Sequence, residues 1–262
     1  MITEAGECMS FKKDEMKFNV KRDNLIIRGK VYLNSDKSKL PAIIISHEFG
    51  LNMRFLARYA KCLYKQGYAV FIYDFCGSGV GTSDGKSADM SVLTQKEDLS
   101  AVLDYVKTLD YIDNEHIILM GCSQGGLVTA LVAAERAEEI EKMILFYPAF
   151  NIPDNARQCA KLCKKLGMKD LPKTFGAMHI KLSKKFIEDA LSIEPWKEIC
   201  AFTKPVLIVH GGVDNIVPFR YSKIASKKYT DCRLVKIKFA QHMFLTTACS
   251  RALKQAIYFL KE

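Results

Sequence analysis

The sequence lacks most of the features that would assign it to a special class. In 262 residues it has one tryptophan and seven prolines. No apolar run approaches the ~18–20 residues that a membrane helix needs. The first residues, MITEAGECMSFKKDE, have no apolar stretch behind a basic tip, so no secretory signal is expected there. A cytoplasmic location is the expectation. No CxxC occurs, and the nine cysteines are scattered from Cys8 to Cys249. An odd, scattered set in a chain of this length is not a disulfide framework, and no finger-like spacing of Cys and His suggests a metal. Acidic residues are the minority, 29 against 39 basic, for a net charge of +10. The excess is lysine-rich and dispersed, with no arginine stripe interleaved with aromatics, so nucleic-acid binding is not expected. Ten basic residues against six acidic ones in 151–200 read as a solvated surface.

What is present is 49% apolar residue content in short runs, enough for a large buried core. Strand-type runs alternate with helix-type runs, the pattern of a mostly parallel sheet covered on both faces. Residues 17–21 and 25–33 read as a hairpin. Strands are expected at 42–46, 69–73, 117–120, 142–147, 205–209 and 233–238. Helices are expected at 54–66, 91–108, 127–134 and 246–261. Between Pro148 and Pro205 the alternation stops, too long a break for an ordinary connection. The expected organisation is a core over 1–149 and 201–262, with an inserted cap at 150–200 carrying helices near 155–166 and 183–192.

One motif carries chemistry. Gly121-Cys122-Ser123-Gln124-Gly125-Gly126 stands where a strand runs directly into a helix. A serine in that turn projects its hydroxyl at the carboxyl edge of the sheet, and small neighbours let the backbone turn tightly. A serine hydroxyl needs a base, and the base needs an orienting acid. His242 follows the last strand and Asp214 the one before it, so both leave the same sheet edge as Ser123. His116 lies at the opposite edge. The backbone N–H groups of Gln124, at a helix N-terminus, and of Phe49, in the loop His47-Glu48-Phe49-Gly50, are the expected oxyanion donors. His47 reads as the residue that fixes this loop through a backbone hydrogen bond.

The chain order Ser123, Asp214, His242 is that of the serine α/β-hydrolases. Residues 17–261 resemble this family, and more narrowly the bacterial feruloyl/cinnamoyl esterases. The matching pieces are His47-Glu-Phe49, Tyr73-Asp-Phe75, Ser83-Asp-Gly-Lys86, Gly121–Gly126, Phe202-Thr-Lys-Pro205, His210–Asp214 and His242. The resemblance implies an α/β-hydrolase fold with about eight strands. It also implies hydrolysis of small carboxylic esters without metal or organic cofactor, and a cap closing over an aromatic acyl group. It places Asp154 and His179 at the phenolic end of the substrate. The chain departs from the family pattern at Glu48, where a glycine is usual, and at Cys122, where histidine is frequent. The expected partner is a small-molecule ester, with neither nucleic acid nor membrane, in a possible homodimer. A serine peptidase or thioesterase on the same triad, or an idle scaffold that binds a ligand, are the alternatives.

Overall fold

The computed structural model describes residues 15–34, 39–177 and 180–262. Strands β1 (Glu15–Arg22) and β2 (Leu25–Tyr32) form the N-terminal hairpin, turned at Asp23, which takes a φ of 52°. There follow β3 (Leu40–Ser46), α1 (Ala57–Tyr64), β4 (Ala69–Tyr73), α2 (Val92–Lys107), β5 (Ile112–Cys122), α3 (Gln124–Glu135) and β6 (Lys142–Phe146). The break in alternation holds α4 (Ile152–Lys165), β7 (Thr174–Ala177), β8 (Ile180–Ser183), α5 (Lys184–Ser192) and α6 (Pro195–Glu198). The chain then resumes with β9 (Val206–Gly211), α7 (Arg220–Ala225), β10 (Cys232–Ile237) and α8 (Thr246–Leu260).

Eight strands make one sheet in the order β1-β2-β4-β3-β5-β6-β9-β10, in which β2 alone runs antiparallel to its neighbours. The central strands are short apolar runs because both of their faces are buried. In β3, Ile44 enters the core under α2 and α3, while Ile43 and Ile45 enter the core under α1 and α8. This is the period-2 alternation of a strand, with both sides apolar. The parallel order carries every chemistry-bearing loop to the carboxyl edge.

The elements expected from the sequence are present, with three differences. The helix expected at 54–66 opens as a 3₁₀ turn, Met53–Leu56, capped by the Asn52 side chain, and only then becomes α-helical. Strand β5 starts earlier than expected, because Ile112 pairs with Leu40 across an irregular register. His116 therefore lies within the strand, in its exposed first half beside Glu141 at 3.0 Å. The β7–β8 hairpin was not anticipated, since each strand has only four residues.

The β6–β9 segment is fastened to the core by polar contacts as well as apolar ones. Ser91 caps α2 in a capping box with Thr94, and its hydroxyl also bonds Asp189 on α5. Ser87 Oγ donates to the Lys181 carbonyl at 2.8 Å, which ties β8 to the loop before α2. Among the described residues no helix is long and apolar enough to cross a membrane.

Candidate active site

Strand β5 ends at Cys122 and α3 begins at Gln124, so Ser123 alone makes the turn. Its φ of 52° and ψ of −118° are strained for a non-glycine residue, as at a nucleophile elbow. The strain is held by neighbours. The Ser123 amide donates to the Phe146 carbonyl at 3.0 Å, and the Ser123 carbonyl accepts from Gly126 and Ala149. Gly121 and Gly125 are required by close approach. A Cβ on Gly125 would stand 2.4 Å from the His47 carbonyl oxygen and 2.5 Å from that of Ser46. Gly125→Ala is therefore expected to destabilise the fold by at least ~1–3 kcal/mol through overpacking. It should also push the oxyanion loop away from the elbow. Urea unfolding checks this, and an unchanged midpoint would contradict it.

Three side chains from three loops line up beside the elbow. His242 Nε2 lies 2.9 Å from Ser123 Oγ, and His242 Nδ1 lies 2.6 Å from Asp214 Oδ2. Asp214 Oδ1 accepts the amides of Ile216 at 2.9 Å and Val217 at 2.8 Å. His210, fully buried, stands 3.2 Å from Asp214 Oδ2. Its Nε2 bonds the Val217 carbonyl and its Nδ1 bonds the Ser222 hydroxyl, so the network assigns the proton to Nε2. Burial works against the Asp214 charge. Hydrogen bonds from His210, His242 and the Val217 amide outweigh it and hold the carboxyl well below its usual range. An ionised Asp214 in turn fixes the His242 proton on Nδ1. That leaves Nε2 free to accept from Ser123.

The loop after β3, where the oxyanion donor Phe49 is expected, is held from behind. The Phe75 amide donates to His47 Nε2 at 3.1 Å, so the His47 proton sits on Nδ1 and donates to the Glu48 carbonyl at 2.7 Å. Burial lowers the His47 pKa and keeps the ring neutral in this role. His47 is thus the structural residue expected. Among the described residues, neither the Phe49 nor the Gln124 amide has a hydrogen-bond acceptor. Asp74 organises the glycine loop after β4, accepting from Met53, Thr82 N–H and Thr82 Oγ. The Gln124 side chain donates to Gln95 at 2.7 Å, which locks the first turn of α3 against α2.

Above Ser123 and His242 lies a cavity of about 260 Å³. Its walls are Phe49 and Leu51 from the oxyanion loop, Ile152, Phe175, Leu182 and Phe186 from the β6–β9 segment, and Ile216, Val217 and Met243 from the loops of Asp214 and His242. The Phe186 ring packs edge-on to Phe49 at 6.0 Å and to Phe175 at 6.4 Å. Its polar lining beyond the triad is Glu48, Gln124, Asn151 and Asn155. Two larger grooves on the outer surface hold none of these residues.

Of the sequence-predicted residues, Ser123, His242, Phe49 and Gln124 line this cavity, and Asp214 lies directly behind His242. Asp154 does not reach it. Its Oδ1 accepts from Arg157 and its Oδ2 from the Tyr221 hydroxyl, both at 2.9 Å, on the other flank of α4. His179 lies outside the described residues. Asn151, the N-cap of α4, and Asn155, one turn later, are cavity residues that sequence reasoning missed. Helical spacing was the available signal, because Asn155 follows Ile152 by three residues and Asn151 by four.

A family model described as serine aminopeptidase S33, a group of serine hydrolases, matches residues 37–194, more than half of the chain. The chain belongs to this family. The fold of the hydrolase is also that of Est1E from Butyrivibrio proteoclasticus, solved with ferulic acid bound. That protein is 28% identical, with a TM-score of 0.83, over 94% of this chain and 100% of Est1E. Human mitochondrial palmitoyl-protein thioesterase ABHD10 is 27% identical over 79% of the hydrolase and 68% of the human protein. Escherichia coli YcjY, an uncharacterised protein, is 36% identical over 36% of the hydrolase. That match spans only 31% of YcjY, so the hydrolase covers about a third of the length of this relative.

Proposed function

We propose that this hydrolase cleaves small carboxylic esters with an apolar, preferably aromatic, acyl group through an acyl-enzyme on Ser123. The observation that carries the reading is the Asp214–His242–Ser123 hydrogen-bonded line opening onto an apolar cavity. His242 accepts the Ser123 proton as Oγ attacks the ester carbonyl, and Asp214 stabilises the imidazolium that forms. The amides of Phe49 and Gln124 receive the developing oxyanion. The imidazolium then protonates the leaving alkoxide. Water, activated by the same imidazole, releases the acid.

The β6–β9 segment acts as the cap of this reading, and its Phe175 and Phe186 supply aromatic walls for the acyl group. The ferulic acid held by Est1E supports an aromatic acyl preference. Aminopeptidase action is disfavoured, because capture of a substrate ammonium needs an exposed carboxylate. Among the described residues Glu48 is the only acid in the lining, it is buried, and burial raises its pKa. Thioester cleavage is the second reading, on the ABHD10 likeness and the same apolar walls.

The test is a panel of methyl ferulate, a nitrophenyl butyrate, an aminoacyl nitroanilide and a fatty acyl thioester. The expected order of kcat/KM places methyl ferulate first and the anilide last. Highest turnover on the anilide would reject the ester reading.

A further inference from the structure

Glu48 stands where a charge is least welcome. It directly precedes the amide expected to bind the oxyanion, and it is 5% exposed. Its Oε1 accepts the Tyr147 hydroxyl at 2.8 Å, and its Oε2 is buried with no hydrogen-bond partner. The Tyr147 ring packs edge-to-face on the His242 imidazole at 4.8 Å between centroids, and on Phe244 at 4.7 Å. One carboxyl group therefore touches the brace of the base and adjoins the oxyanion loop.

Building on the ester-hydrolase reading, we propose that Glu48 serves as an uncharged carboxylic acid. It is a positioning residue that braces Tyr147 against His242 and keeps the oxyanion loop free of negative charge. Two physical arguments support this. A buried carboxylate whose second oxygen has no partner is costly, whereas the acid leaves only one proton unshared. An anion one residue from Phe49 also opposes the negative charge that the transition state develops.

The groups facing Glu48 supply no fixed cation. Tyr147 beyond β6, Tyr59 on α1 and Cys122 at the end of β5 are all pushed up by burial and stay neutral. His47, on the same loop, is kept neutral by burial. Among the described residues, His242 is the neighbour that takes up positive charge in the reaction, when it accepts the Ser123 proton. Burial raises the Glu48 pKa, so the acid form extends above the usual carboxylate range. The contribution of the acid form is present below that shifted value and is lost as pH rises through it.

The experiment is the pH profile of kcat/KM for wild type, Glu48→Gln and Tyr147→Phe, on a short nitrophenyl ester. Glutamine keeps the Oε1 acceptor and cannot ionise. Wild type is expected to fall ~10-fold per pH unit on its alkaline limb, as for one ionisation. Glu48→Gln should lose that limb, its rate staying flat through the pH at which wild type falls. Tyr147→Phe removes a donor that favours the carboxylate, so it should move the limb to higher pH. Superimposable profiles for wild type and Glu48→Gln would overturn the proposal. So would a Glu48→Gln enzyme that is ~100-fold weaker at every pH, which would mean that the charge is needed.

Infrared difference spectroscopy of wild type against Glu48→Gln gives a readout independent of turnover. A protonated-carboxyl C=O stretch at neutral pH is expected, and a carboxylate band alone would overturn the proposal. Absence of ester turnover with the C=O stretch present would count against the proposed function and leave the state of Glu48 established.

Discussion

Replacing Ser123 by alanine is expected to lower ester turnover by ~10⁴–10⁶-fold, with the melting temperature unchanged. Among the described residues that line the cavity, no other nucleophile can take over. Cys122 is adjacent in sequence but fully buried, with its thiol pushed well above the usual range, so it supplies no thiolate to the cavity. The fold should survive, because the turn is held by backbone bonds. The residue 123 amide still donates to Phe146, and its carbonyl still accepts from Gly126 and Ala149. Alanine keeps a Cβ, so the positive φ at this position is neither relieved nor worsened. A residual rate above water is expected from the oxyanion amides and binding alone. The check is kcat/KM on a short nitrophenyl ester beside a thermal melt. Loss of both activity and cooperative melting would mean that the effect was structural.

Asp214→Asn should lower kcat by ~10⁴-fold although it removes no atom from the site. Asp214 accepts from four directions. Oδ1 takes the Ile216 and Val217 amides, while Oδ2 faces His242 and His210. Asparagine has one acceptor oxygen. The two backbone amides claim it, so the NH₂ is left facing His242 Nδ1. That nitrogen must then accept, and the imidazole proton moves to Nε2, which can no longer take the Ser123 proton. The same NH₂ confronts the His210 Nε2–H, donor to donor, which should cost ~1–3 kcal/mol of stability. Single-turnover kinetics and urea unfolding separate the two effects. A fall in kcat of less than tenfold would place the orienting acid elsewhere.

The sheet was legible because each central strand is buried on both faces. AIII at 42–45 and AVFI at 69–72 therefore appear as unbroken apolar runs. The meeting of Ser123, Asp214 and His242 was legible because each follows a recognisable strand, and a parallel sheet sends all those ends to one edge. The segment between β6 and β9 was less so. Four-residue strands such as Thr174–Ala177 carry too little alternation to register, and with them went Phe175 and Leu182 of the cavity wall. The resemblance places Asp154 at the site, whereas α4 presents other residues to the cavity. Residues 151, 152 and 155 face the cavity, and position 154 turns toward Tyr221 and Arg157. Glu48 was visible as a departure from the family pattern. Its bond to Tyr147, ninety-nine residues away, was not, because only the packed sheet brings β3 and β6 ends together.

The central claim is that Ser123 is the activated nucleophile, and trapping it is the most direct measurement. Wild type, Ser123→Ala and His242→Ala are incubated with a fluorophosphonate, and the adduct is located by intact mass and peptide mapping. One adduct per chain is expected in wild type, on the peptide containing Ser123. None is expected in Ser123→Ala, and labelling should be strongly slowed in His242→Ala. An unlabelled wild-type chain, or an adduct on any residue other than Ser123, would contradict the account.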